Sequence, residues 1–263
     1  MRFARKYEQW VQAQPGLFGE CPSCEEPMVA KCGKQRVWHW AHKGRLNCDS
    51  WQENETEWHR KWKDKFPEEW QEIVHRADDG ERHIADVKTY EGWVLEFQHS
   101  RISYEERRSR ETYYQSLIWV VDGTTRKKDA RQFFEAWNSG GKSPNPFSTK
   151  RRIAEHNSAL LRDWKDSQGH VFFDFGEENQ LWWLYPQSDE TRAYVQAISR
   201  DQFIRVHRER TSNVPTEFEQ LVNNFTPFIA TYEEPSFAPH PLRKREVTAD
   251  RNCDGLIRGR TRL

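Results

Sequence analysis

The sequence is short of aliphatic residues, of methionine and of net charge. Hydrophobic residues make up 35% of the 263, methionine occurs twice, and 41 Lys and Arg balance 41 Asp and Glu. No window approaches the roughly 18 to 20 consecutive apolar residues of a membrane-spanning helix, so no membrane span is expected. The basic start, Met1-Arg2-Phe3-Ala4-Arg5-Lys6, runs into Tyr7-Glu8-Gln9-Trp10 and not into the apolar stretch of a signal peptide, so a soluble cytoplasmic protein is expected. A zero net charge withholds the bulk signal of a polyanion partner, and any nucleic-acid surface has to be local. Aromatics offset the thin aliphatic count: 13 Trp and 15 Phe place large buried area in few positions, which makes the chain globular.

Cysteine is scarce and unevenly placed. Four of the five lie between positions 21 and 48 and Cys253 stands alone, an odd total whose clustering favours metal over disulfides. Cys21-Pro22-Ser23-Cys24 has the spacing that lets two thiolates grip one tetrahedral zinc ion at about 2.3 Å. Cys32, His39, His42 and Cys48 follow, so six candidates compete for four places. The preferred set is Cys21, Cys24, His42 and Cys48, with His39 as the nearest replacement and Cys32 last. Four protein ligands close a site to water, so the expected role is structural: a small zinc-ribbon-like module over residues 1–50, too short to build a core of its own. Such a module would also hold Lys31, Lys34 and Arg36 against a phosphate backbone.

Residues 51–138 read as helix, two strands, helix, strand and helix. The Gly, Ser, Asn and Pro of 138–146 then mark a loop. From 150 to 232 the pattern is a mixed α+β extension: a helical run over 153–164, strands over 171–175, 181–185 and 193–198, and a helix opening near Ser199, all able to extend the preceding sheet. This region is also where a second copy or a protein partner is expected to dock. Residues 233–263 are Pro-rich, then Arg-rich, and are expected to form a flexible basic tail.

The chemistry concentrates in the second stretch. An amphipathic helix over 51–66 carries Trp51, Trp58 and Trp62 near one face, with Glu57 and Lys61 stacked four apart at its border, either a surface ion pair or part of a site. Residues 82–88 and 93–98 make a hairpin. Period-two alternation puts Trp93, Leu95 and Phe97 on one face and Val94, Glu96 and Gln98 on the other, so a carboxylate points from a strand built for burial. Asp86 likewise sits between Ala85 and Val87. Buried carboxylates are costly unless something positive satisfies them. Either Mg²⁺ or Mn²⁺ bound by Asp86 and Glu96, with Glu57 behind, or bonds to Arg82, Lys88 or backbone at a sheet edge would do so. Ser103 with Glu106 opens a further helix as a capping box; Arg107, Arg108, Arg110, Tyr113 and Tyr114 ride on it, and Arg107, Arg110 and Tyr114 are the candidate nucleic-acid contacts. Residues 117–121, continuously apolar, suit a central strand covered on both faces.

Taken together, Cys21-Pro22-Ser23-Cys24, Trp38-His39-Trp40-Ala41-His42, Glu57 with His59 and Lys61, His83-Ile84-Ala85-Asp86-Val87, Glu96-Phe97-Gln98-His99-Ser100, and Arg110 with Tyr113 or Tyr114 resemble the competence protein CoiA-like family over roughly residues 20–125. The resemblance implies an α/β fold with a restriction-endonuclease-like αβββαβ core, a zinc-binding N-terminal segment, and a PD-(D/E)xK-type nuclease acting on DNA in uptake, recombination or defence. On that resemblance Asp86 and Glu96 match the acidic pair and Glu57 the acid of the first helix. Gln98 stands where the wider superfamily has lysine; it orients a water but carries no charge, so Lys61 or Lys88 would have to supply the cation. The alternative is a catalytically inactive DNA-binding or protein-interaction subunit with the same fold.

Overall fold

The computed structural model describes residues 1–44, 48–51, 55–143, 145, 148–186, 192–209 and 215–230. The expected tail over 233–263 lies outside them. Two sheets organise the described chain. The first is antiparallel and built from β1 (Phe3–Lys6), β2 (Gln9–Gln12), β3 (Phe18–Glu20), β4 (Pro27–Lys31) and β5 (His39–His42), in the order β2-β1-β3-β4-β5. Tyr7 and Glu8 both adopt positive φ (50° and 62°), the two-residue turn whose twist suits a tight hairpin between β1 and β2. Ala4, Met28 and Trp40 pack with Cys21 into a small core. Gly19 sits there because a Cβ would lie 3.1 Å from both the Ala4 Cβ and the Arg5 carbonyl oxygen.

The described residues from Glu57 onward are organised around one larger sheet. Its elements are α1 (Glu57–Lys63), β6 (Gln71–Arg76), β7 (Arg82–Lys88), β8 (Val94–Gln98), α2 (Tyr104–Tyr114), β9 (Leu117–Asp122), α3 (Asp129–Ser139), β10 (Gly141–Lys142), β11 (Lys150–Ala154), α4 (Ala159–Trp164), β12 (His170–Asp174), β13 (Leu181–Leu184), β14 (Arg192–Ile198), α5 (Arg200–Arg208), α6 (Glu217–Asn223) and α7 (Thr226–Ala230). The strand order is β10-β11-β14-β13-β12-β9-β8-β7-β6, with β9 parallel to both β8 and β12 and the other pairings antiparallel. The strands after the 138–146 segment thus continue the sheet that precedes it. β9 is buried along its whole length, as its unbroken apolar run requires.

Each face of this sheet is covered. Phe97, Val120, Phe172 and Trp183 meet Trp62 of α1, Phe203 of α5, Phe218 of α6 and Phe228 of α7. Trp119, Val121, Phe173 and Trp182 meet Tyr114 of α2, Phe133 of α3 and Leu161 of α4. Among the described residues no helix is long and apolar enough to cross a membrane.

Three local expectations are corrected. The first helix begins at Glu57, capped by Thr56, and Trp51 lies before it; residues 52–54 are outside the described set. Gln71–Arg76 forms a strand that the residue pattern does not announce, because Glu72 interrupts it with a φ of 51°. The helical run placed at 153–164 is split: Ile153 belongs to β11, and α4 opens only at Ala159, where the Ser158 side chain accepts from the Leu161 N–H.

Two histidines sit deep in the aromatic layer. Burial, then the nearby His207, pushes His170 down to about 3, and burial pushes His207 down to about 4. Between the ordinary histidine range near 6.5 and those values, the unfolded chain takes up protons that the folded chain refuses. Stability is therefore expected to fall as pH drops through that window, by on the order of 1 kcal/mol per pH unit for each imidazole. Urea denaturation between pH 7 and 5 measures the slope; His207→Gln should remove one imidazole's share of it, on the order of 1 kcal/mol per pH unit, and an unchanged slope contradicts the assignment.

Candidate functional site

The acidic site follows from strand register. β6 and β7 pair Gln71 with Val87 and Ile73 with Ala85, and β7 and β8 pair Val87 with Leu95. In these registers Glu72, Asp86 and Glu96 fall side by side in one row across three strands, and β8 and β9 extend the row by pairing Glu96 with Trp119. The row interrupts the backbone ladder, and carboxylates take over as acceptors. The Asp86 N–H donates to Glu96 Oε1 (3.3 Å) and the Phe97 N–H to Asp86 Oδ2 (3.0 Å). Glu72 accepts from the N–H groups of Arg2 (2.6 Å) and Phe3 (2.9 Å), which fastens β1 of the first sheet to the edge of the second.

Two cations reach the row from opposite helices. Lys63, buried at the end of α1, places Nζ 2.7 Å from Glu55 Oε1, 2.9 Å from Glu72 Oε1 and 3.9 Å from Asp86 Oδ1. Burial works against its ammonium, yet Glu72, Glu55 and Asp86 together raise it above its ordinary range. Burial also opposes the Glu55 charge, but Lys63, the α-amino group and Arg60 hold that carboxyl down at about 2. Arg110 of α2 donates to Glu96 Oε2 (3.1 Å), Glu106 Oε1 (2.5 Å) and the Trp51 carbonyl (2.7 Å), between the indoles of Trp51 and Trp119. Despite Arg110, burial and then the Asp86 charge push Glu96 up to about 8.

Asp49, Glu55, Glu72, Asp86 and Glu96 line a cavity of about 60 Å³, against Lys63 and Arg110 as its cationic side chains. Five carboxylates face Lys63, Arg110 and the α-amino group of Met1, and the carboxyl pushed toward neutrality is the one beside Asp86. That is the electrostatic condition a hard divalent cation relieves. His59 and Gln98 complete the wall. His59 is fixed through the α1 cap, its N–H donating to Thr56 Oγ1 and its Nδ1 accepting from the Thr56 N–H, each at 3.3 Å. Gln98 Nε2 donates to the Ser100 carbonyl at 3.1 Å.

Asp86, Glu96 and Gln98, singled out from sequence, therefore line one cavity. Glu57 and Lys61 do not join them; both are exposed on the outer side of α1, and Lys88 is exposed as well. Their places are taken by Glu55 and Lys63. Trp58, Trp62 and Phe66 define a stripe spaced by four, and positions 57 and 61 lie about 100° to one side of it while 59 and 63 lie about 100° to the other. The pattern is symmetric, so it does not choose a flank. The candidate nucleic-acid contacts are also turned inward. Arg107 is buried and donates to the Asp163 carbonyl (2.7 Å) and Asp166; Arg110 holds Glu96; Tyr114 packs edge-on to Trp51 and His75.

The second cluster is Cys21, Cys24, His42 and Cys48, whose ligand atoms all lie within 4.8 Å of one another. Cys21 Sγ is 3.6 Å from Cys48 Sγ, and Cys24 Sγ is 3.2 Å from His42 Nε2. A tetrahedral ion with 2.3 Å bonds to sulfur needs ligand separations of about 3.8 Å, so the donors fit. Burial raises the Cys21 and Cys48 thiols and lowers His42. The imidazole thus keeps its lone pair, while the thiols need a cation's charge to ionise. His39 stays outside, its Nδ1 donating to the Val37 carbonyl at 2.8 Å; Cys32 is also outside the cluster. The segment after Cys48 leads to the acidic cavity. Asp49 Oδ2 accepts from the Ile84 N–H, Asp49 Oδ1 lies 2.9 Å from His83 Nδ1, and Trp51 stacks on His83 at 3.2 Å.

Two measurements check these assignments. Lys63→Met strands buried carboxylates and should destabilise the fold by about 3 kcal/mol or more, whereas exposed Lys61→Ala should stay within about 0.5 kcal/mol. Equal effects in urea denaturation overturn the placement of Lys63. Protein purified without chelator should carry one metal ion per chain by elemental analysis, and Cys48→Ser should lose it; retention of the metal in that variant removes Cys48 from the site.

Residues 18–50, which contain all four ligands of this cluster, match the family model described as competence protein CoiA, N-terminal domain. No curated protein and no solved structure matches the chain. In its N-terminal part the chain is thus similar to a domain of a competence protein, with a Cys₃His cluster that could hold a structural metal such as zinc.

Proposed function

We propose that the chain is a divalent-metal-dependent nuclease that hydrolyses phosphodiester bonds of DNA in uptake, recombination or defence. The observation that carries this reading is the row of Asp86 and Glu96 on neighbouring strands, with Lys63 between Asp86 and the preceding helix, all lining one cavity. The order α1-β6-β7-β8-α2-β9 supports it, since this is the αβββαβ sequence of a restriction-endonuclease-like core. The match of residues 18–50 to a competence-protein domain supports the DNA context.

In this reading Asp86 and Glu96 would hold Mg²⁺ or Mn²⁺, and the bound ion would supply Lewis acidity toward the scissile phosphate and the attacking water. Lys63 keeps its proton and offsets charge that accumulates on phosphate oxygens. The Gln98 amide orients the water. Arg110 fixes the Glu96 carboxylate and is a positioning residue. Glu55 and Glu72 hold Lys63 in place. The Cys₃His cluster takes zinc as a closed structural site.

A second reading, a DNA-binding or protein-interaction subunit without catalysis, is favoured by Gln98 in place of a charged residue and by the smallness of the cavity. Incubation with single-stranded, duplex and branched DNA, in Mg²⁺ or Mn²⁺ against EDTA, separates the two. Metal-dependent cleavage that falls at least about a hundredfold in both Asp86→Ala and Glu96→Ala is expected. Binding without cleavage supports the second reading.

A further inference from the structure

A groove of about 1000 Å³ runs between the β4–β5 connection and the start of α1. Lys34 and Arg36 line it from the connection, Trp38 closes that side with 45% of its surface exposed, and Arg60 faces them from α1. Arg60 also fixes the wall: its Nη2 donates to the Trp38 carbonyl at 2.7 Å and to Glu55 at 2.6 Å. Glu55 lines both this groove and the acidic cavity, so its side chain is a wall that the two share. Glu57 is the groove's other carboxylate; with the Glu55 charge met by Lys63 and Arg60, Lys34 and Arg36 outnumber it in a chain of zero net charge. The other side of the same connection adds Lys31 and His39 around a second depression of about 740 Å³.

We infer that this groove binds an unpaired nucleic-acid strand, with Lys34 and Arg36 on its phosphates and a base stacked on Trp38. Basic side chains interleaved with an exposed aromatic ring suit single strands, because an unpaired base offers its face while the bases of a duplex are already stacked on one another. The inference deepens the nuclease reading by naming the strand's path, and it rests on that reading only for what happens at the end of the path.

The test separates binding from cleavage. Fluorescence anisotropy with labelled oligo-dT, oligo-rU and duplex DNA is run in EDTA at several salt concentrations on the full chain. Wild-type protein should bind oligo-dT more tightly than duplex, with the oligo-rU arm showing whether the sugar matters. Trp38→Ala should weaken binding about tenfold. The double variant Lys34→Gln and Arg36→Gln should lower the slope of log affinity against log salt by about 1.4, the share of two phosphates on a single strand. Lys127→Gln with Lys128→Gln, exposed far along the chain on the approach to α3, should change nothing. Retained metal content shows that the variants are folded. Unchanged oligo-dT binding in the groove variants, equal loss in the Lys127 and Lys128 control, or no binding by the wild type overturns the inference. Groove-dependent binding without cleavage in Mg²⁺ or Mn²⁺ overturns the nuclease reading and leaves the groove standing.

Discussion

The burial of one ammonium group organises the molecule. Lys63 is removed from water and is stable as a cation only because Glu55, Glu72 and Asp86 surround it. Those acids come from the approach to α1, from β6 and from β7, so three elements share one electrostatic requirement. Glu72 then uses its remaining acceptor capacity on the N–H groups of Arg2 and Phe3, which ties the first sheet to the same point. A non-glycine residue at φ 51° costs about 1 kcal/mol or more. The ion pair and the two hydrogen bonds that Glu72 makes in this conformation offset that strain.

A second chain of contacts joins the metal cluster to the same cavity from the other side. Cys48 is a ligand-type residue, Asp49 beside it docks on the Ile84 N–H and on His83, and Trp51 lies flat on His83. The Trp51 carbonyl then accepts from Arg110, which also donates to Glu96. Whatever fixes Cys48 therefore also fixes the geometry of Glu96, through backbone and buried side chains. The small cysteine-containing sheet and the large sheet are in this sense one structural unit, although their hydrophobic cores are separate.

How far the sequence foretells this arrangement depends on which periodicity each residue obeys. Glu96 and Gln98 were visible as polar interruptions in an apolar strand, and Asp86 likewise, because period-two alternation is sharp in β7 and β8. The cysteines and His42 were visible from spacing. Lys63 was not, since the aromatic stripe of α1 is symmetric about its axis and Glu57 with Lys61 forms an equally good pair on the wrong flank. Glu55 precedes the helix, where no periodicity applies. Glu72 was hidden for a different reason: its strand breaks alternation at the residue whose left-handed backbone turns its carboxylate inward. The helix expected to begin before Glu57 and the one expected to contain Ile153 failed for a common cause, since apolar residues ahead of a capping Thr56 or Ser158 extend a periodic pattern past the true start.

The location of positive charge is the point on which the proposed chemistry turns. A lysine two residues beyond the strand glutamate would project from β8 itself; here that position is Gln98, whose amide is bonded to Ser100. The charge comes instead from α1, across the cavity, and it arrives already paired with Glu55 and Glu72. A strand lysine has to be desolvated for the purpose of the site alone, whereas Lys63 is desolvated by the fold and held by two carboxylates that do not belong to the Asp86 and Glu96 pair. Its proton is correspondingly secure, so in the proposed chemistry it would be a fixed charge and not an acid or base. Any proton that leaves an attacking water in that chemistry would then have to go to a group other than Lys63.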